Sequence, residues 1–138
     1  MRAIGLDLGS KTLGIAQSDL LKMVANPVET YRFEEDDYDN ALNYILKFIK
    51  ENQVDEVVLG LPKHMNGDIG VRGELSIEFK DKIMKNANVK VILWDERLTS
   101  VQANKTLIKG DVSRKKRKQV IDKMAAVIIL QSYLDGRY

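Results

Sequence analysis

The chain has 138 residues, 44% hydrophobic and 30% charged, with a formal net charge of +2. Such a composition excludes a disordered polymer, and the length suits one domain, residues 1–138, whose core needs no staples. The absence of cysteine excludes disulfides, thiolate zinc sites and a cysteine nucleophile, and fits a reducing cytoplasm.

Asp7 interrupts the N-terminal segment before a signal-peptide core could form. The longest apolar run is the seven residues from Met124 to Leu130, far short of the roughly 20 that span a bilayer. No membrane role is expected. Charge is unevenly spread: six acids and one arginine lie between Glu29 and Asp39, and eight bases and two acids between Lys105 and Lys123. That asymmetry points to a face that meets a polyanion, although a solvated charged helix would look the same.

Arg2 to Asp7 reads as a strand, with Ile4 and Leu6 on one face and Ala3, Gly5 and Asp7 on the other. A turn at Gly9 to Thr12 leads into a returning strand, Leu13 to Ser18. A third strand covers Val24 to Arg32, where Pro27 favours an edge. Asp36 and Asp37 suit the cap of a helix whose stripe is Tyr38, Ala41, Leu42, Ile45, Phe48 and Ile49. Glu56 to Leu61 reads as a buried parallel strand stopped by Pro62. A weaker helix with Val71, Leu75, Phe79 and Ile83 follows, then a strand from Val89 to Trp94. Thr99 or Ser100 can cap a short helix containing Val101, Leu107 and Ile108. The last helix runs from Ser113 to about Leu134, with Ile121, Met124, Ala125 and Ile128 expected towards the core. Three meandering strands followed by βα crossovers predict an α/β fold with a mixed five-stranded sheet and helices on both faces.

Three acids stand out on this frame. Asp7 ends the first strand beside Gly9 and a Ser-Lys-Thr turn, where it can hold a cation or simply satisfy its own turn. Glu96 follows the strand ending in Trp94 and shares the face of Ile92 and Trp94, at the edge where open α/β sheets bind ligands. Asp95 points to the other face and competes with it. Asp122 has Ala125, Ala126 and Ile129 three, four and seven residues on, which places it beside a buried stripe; Lys118 is its alternative partner. Brought together, each pair of acids at about 4 Å repels by roughly 1–4 kcal/mol. Divalent Mg²⁺ or Mn²⁺ removes that penalty, and two such ions can cut a phosphodiester.

Candidate phosphate contacts are Lys11, Lys63, Arg72, Arg97 and the run Arg114, Lys115, Lys116, Arg117 and Lys118. That run opens a helix, where each positive charge opposes the dipole by roughly 0.3–1 kcal/mol; bound phosphate supplies the reason for it. His64, the single histidine, reads as a loop residue rather than a general base.

The stretches Ile4-Gly5-Leu6-Asp7-Leu8-Gly9, Leu13-Gly14-Ile15-Ala16, Val58-Leu59-Gly60-Leu61-Pro62 and Asn66-Gly67 together resemble the YqgF/RuvX family. Asp95-Glu96-Arg97-Leu98-Thr99-Ser100, Asp122-Lys123-Met124-Ala125-Ala126 and Ile129-Leu130-Gln131 extend the resemblance over essentially the whole chain. The family comprises Holliday-junction resolvases or pre-16S ribosomal RNA nucleases. The resemblance implies an RNase H-like fold with its acidic positions at Asp7, Glu96 and Asp122. Resolvases of this fold usually carry an acid at the end of the fourth strand. Here that strand ends Gly60-Leu61-Pro62, so Glu96 must substitute.

The expected function is a metal-dependent endonuclease acting on precursor ribosomal RNA or branched DNA. Asp7 would bridge two ions, and Glu96 and Asp122 would each complete one shell. Junction resolution needs two cuts and hence a homodimer, whereas RNA trimming does not. The alternatives are a non-catalytic nucleic-acid-binding factor and, from the Asp7 to Gly14 hairpin, an actin-like nucleotide-binding domain.

Overall fold

The computed structural model describes residues 1–63, 66–96 and 113–136, and for residues 114–123 the backbone alone. Strands β1 (Arg2–Leu8), β2 (Thr12–Ser18) and β3 (Ala25–Arg32) are followed by helix α1 (Tyr38–Glu51) and strand β4 (Val54–Leu61). Helix α2 (Val71–Asn86), strand β5 (Lys90–Asp95) and helix α3 (Arg114–Asp135) complete the order. The five strands form one sheet in the order β3-β2-β1-β4-β5. β1 and β2, and β2 and β3, are antiparallel, whereas β4 runs parallel to β1 and to β5. The carboxyl ends of β1, β4 and β5 therefore share one edge. Pro27 lies on the edge strand as expected, where the ladder shifts register opposite Ile15 and Ala16 because proline has no N–H to pair.

Alternation along the strands sorts the core into two layers. Ile4, Leu6, Leu13, Ile15, Val57 and Leu59 pack against α1 and α2. Ala3, Ala16 and Val58 face α3, through Ala126, Ile129, Leu130 and Leu134. Helices thus cover both faces. Asp7 falls on the α3 side by the same alternation. At the start of α1, the Asp37 carboxylate accepts from the Asn40 N–H at 3.2 Å, and the buried stripe is Ala41, Leu42, Ile45 and Ile49.

Two faces differ from expectation. In α2 the buried residues are Gly73, Ser76, Phe79 and Ile83, while Val71 is 74% exposed. The first turn of α2 lies so near the chain that a Cβ on Gly73 would come within 2.8 Å of the Pro62 carbonyl. In α3, Met124, Ala125 and Ile128 are only half-buried, and Ala126, Ile129, Leu130 and Leu134 form the buried line. An apolar run leaves the rotation of a helix undecided in sequence. The sheet decides it here: a Cβ on Gly5 would lie 2.6 Å from the Ala126 carbonyl and 2.7 Å from the Leu130 Cβ, so Gly5 is the seat on which α3 rests. Gln131 fixes its height, accepting from the Ala25 N–H at 2.8 Å and donating to the Met23 carbonyl at 3.1 Å. The expected short helix with Val101, Leu107 and Ile108 lies outside the described residues, as do His64, Arg97 and the Ile121 side chain.

Candidate active site

Asp7 and Glu96 meet at the carboxyl edge of the sheet. Both are half-buried, and their carboxyl groups share a hydrogen bond. Asp7 arrives on β1, one residue before its end. Glu96 arrives from just beyond β5, crossing β4. Its carboxylate lies over Gly60, where a Cβ would collide with Glu96 Oε1 and come within 2.7 Å of the Ile129 Cδ1. The missing side chain on the fourth strand is therefore the space that the acid of the fifth fills. Asp95 pairs in register with Leu61, and its charge acts on Glu96.

The electrostatics follow from this packing. Burial first, then the Asp7 charge and hydrogen bond, push the Glu96 carboxyl from its ordinary 4.5 up to about 8, with Asp95 adding to the rise and Arg72 opposing it. At neutral pH Glu96 keeps its proton and donates it to the Asp7 carboxylate, as two carboxyls sharing one site do. Two carboxyl groups sharing one site are a donor set of the kind a hard divalent cation takes, and Asp7 and Glu96 would hold it in place of the shared proton.

Position 122 is placed by the backbone of α3, its side chain lying outside the described residues. A Cβ on Gly14, the register partner of Asp7, would lie 3.5 Å from the Asp7 Cβ and 3.6 Å from the Ala126 Cβ. Ala126 thus packs beside Asp7. Residue 122 sits one turn earlier on the same helical face, about 6 Å along the axis towards the carboxyl edge. Among the described residues no three acidic or histidine groups form a metal cluster; those residues contribute the pair, Asp7 and Glu96.

The expected phosphate contacts are distributed around this edge. Lys11 is exposed in the β1–β2 turn, and Lys63 follows the end of β4. Arg72 stands in the first turn of α2, where its Nη2 donates to the Leu8 carbonyl at 3.1 Å and its Nη1 to the Tyr38 hydroxyl at 3.2 Å. The backbone from Arg114 to Lys118 opens α3, one to two turns beyond residue 122 at the same end of the molecule; those side chains lie outside the described residues. Sequence reasoning missed Tyr38 and Gly60 as parts of the site. Tyr38 was legible only as a member of the α1 stripe, and Gly60 only as the absence of an acid.

In its architecture the chain is an RNase H-like α/β protein. Solved structures share the fold over nearly its whole length. T. thermophilus RuvC, solved in complex with a Holliday junction substrate, aligns with a TM-score of 0.64 at 14% identity, covering 99% of this chain and 95% of that one. The Fowlpox virus Holliday junction resolvase aligns with a TM-score of 0.58 at 16% identity, covering 100% of both. Residues 1–136 match the model of the family described as RuvX, Holliday junction resolvase, and the chain belongs to that family. It is accordingly a hydrolase of phosphodiester bonds. A Bacillus subtilis (strain 168) relative named "Putative pre-16S rRNA nuclease" is 53% identical over 136 residues, covering 99% of each chain. A Staphylococcus epidermidis relative of the same name is 51% identical, covering 98% of this chain and 96% of that one. Among the described residues no helix is long and apolar enough to cross a membrane.

Proposed function

We propose that residues 1–138 form one nuclease domain that cuts structured nucleic acid in the cytoplasm, with Asp7, Glu96 and Asp122 as its catalytic and metal-binding acids. The observation that carries this reading is the Glu96 carboxyl lodged over Gly60 and hydrogen-bonded to Asp7. An acid held there at the expense of its ionisation is poorly explained by folding alone. Mg²⁺ or Mn²⁺, two ions in the full site, would supply an activated water and a charge for the leaving oxygen. The chain's own residues do the rest. Asp7 and Glu96 fix oxygen donors on rigid strand ends. Lys11, Lys63, Arg72 and Arg97, with Arg114, Lys115, Lys116, Arg117 and Lys118, hold phosphates on either side of the cut.

The relatives' name favours precursor 16S ribosomal RNA as substrate, and the family description favours the Holliday junction. A monomer suffices for the first, and a homodimer is required for paired cuts in the second. The test compares wild type with Asp7→Asn on a four-way DNA junction and on precursor RNA, with Mg²⁺, Mn²⁺ or chelator. Metal-dependent cleavage that Asp7→Asn loses while still binding supports the reading. Equal cleavage by both proteins would reject it.

A further inference from the structure

Arg72 is an exposed arginine held through both of its Nη groups. Its two described partners, the Leu8 carbonyl and the Tyr38 hydroxyl, are both neutral, and among the described residues it forms no ion pair. Guanidinium carries five donors in a rigid fork. Two are taken by these neutral partners and fix its plane against the end of β1. Tyr38 is itself held, donating to the Asp36 carboxylate at 3.2 Å. The charge lies near enough to Glu96 to act on that carboxyl. Helix stability gives no reason for a cation in the first turn of α2, where it opposes the dipole.

Arg72 also lines an open groove of about 430 Å³ between the end of β4 and the start of α2, together with Pro62, Lys63, Gly70, Val71 and Gly73. Val71 at its wall is 74% exposed, and the neighbouring Ile69 is 42% exposed. Two cations above an apolar wall match a nucleic-acid strand, whose phosphates seek charge and whose sugars and bases seek apolar contact.

The geometry points to this groove as the track for the strand flanking the cut, with Arg72 as the preoriented anchor of one phosphate and Lys63 as the contact to a neighbouring one. The inference rests on the proposed nuclease reading and adds to it the side of the acid pair on which the strand leaves. Holding the fork in place before the strand arrives removes part of the ordering cost of binding.

The experiment measures binding of a four-way DNA junction and of a precursor-RNA hairpin in chelator, so that no cleavage intervenes, as a function of salt. Single neutral methylphosphonates are then placed along whichever probe binds more tightly. Arg72→Gln is expected to bind about tenfold more weakly and to lose about one from the slope of log K against log salt. Neutralising one phosphate near the cut should weaken wild type by about the same factor and leave Arg72→Gln unaffected. Arg72→Lys, which keeps the charge without the fork, should keep the salt slope and show an intermediate loss. Lys63→Ala leaves α2 untouched and should also lower the slope by about one, which keeps the groove testable if Arg72→Gln unfolds. A folded Arg72→Gln with the wild-type slope and wild-type sensitivity at every phosphate would make Arg72 a structural strut and overturn the assignment. An unchanged slope in Lys63→Ala, or no binding of either probe by wild type, would overturn the groove. Equal cleavage by wild type and Asp7→Asn would instead overturn the nuclease reading and leave these binding results standing.

Discussion

Replacing Glu96 by Gln gives the sharpest separation of proton, metal and fold. An acid whose pKa is higher in the folded chain than in the unfolded one holds more protons when folded. Its contribution therefore weakens stability progressively as pH rises from the unfolded value, and levels off above the folded one. For Glu96 that window runs from 4.5 to about 8, and at 1.36 kcal/mol per pH unit the full loss is on the order of 3–5 kcal/mol. Gln does not titrate, has nearly the same shape, and can donate its amide N–H to Asp7 as the protonated acid does. Urea unfolding in chelator should give similar stabilities for the two proteins near pH 5. By pH 9 Glu96→Gln should be more stable by several kcal/mol. Mg²⁺ should reverse the order at high pH, stabilising wild type and leaving the variant nearly unchanged. At pH 7 metal binding should expel a proton from Glu96, and calorimetry in buffers of different ionisation enthalpy reads its uptake by the buffer directly. A wild-type-minus-variant difference that stays constant from pH 5 to 9 would refute the environment assigned to Glu96.

Gly60→Ala places a methyl where Glu96 Oε1 and Ile129 now lie; it should cost about 1–3 kcal/mol and abolish cleavage, read by thermal unfolding and a single-turnover assay. Gly5→Ala meets the Ala126 carbonyl and the Leu130 Cβ, neither of which can rotate away. A loss of about 1–3 kcal/mol should accompany weaker Mn²⁺ binding, as α3 lifts and carries residue 122 with it. Lys115→Ala/Lys116→Ala should weaken nucleic-acid binding whatever its sequence and reduce the salt slope by about two; an unchanged slope would return that cluster to a solvated helix face.

The sheet was legible because its strands obey simple alternation. Ile4 and Leu6 against Ala3, Gly5 and Asp7 assigned both faces of β1, and Pro27 marked the edge. Helix α1 was equally plain, since Asp37 caps a regular stripe. Rotation of α2 and α3 was not, because it is set by backbone contact at Gly73 and Gly5 rather than by the helices' own apolar periodicity. The rotated α3 moves position 122 from the side of the buried stripe onto the line through Ala126. At the candidate site, strand-end position singled out Asp7 and Glu96, whose carboxyl groups the fold brings together. Their contact across Gly60, and the hold of Tyr38 and Leu8 on Arg72, depend on side-chain reach between distant segments, which no local pattern encodes.

The most direct test of the proposed three-acid centre is anomalous diffraction from crystals of the protein soaked in Mn²⁺. Peaks within about 2.3 Å of carboxylate oxygens from Asp7, Glu96 and Asp122 together are the predicted result. Manganese bound away from Asp7 and Glu96, or an Asp122 carboxylate more than about 10 Å from them, would contradict it.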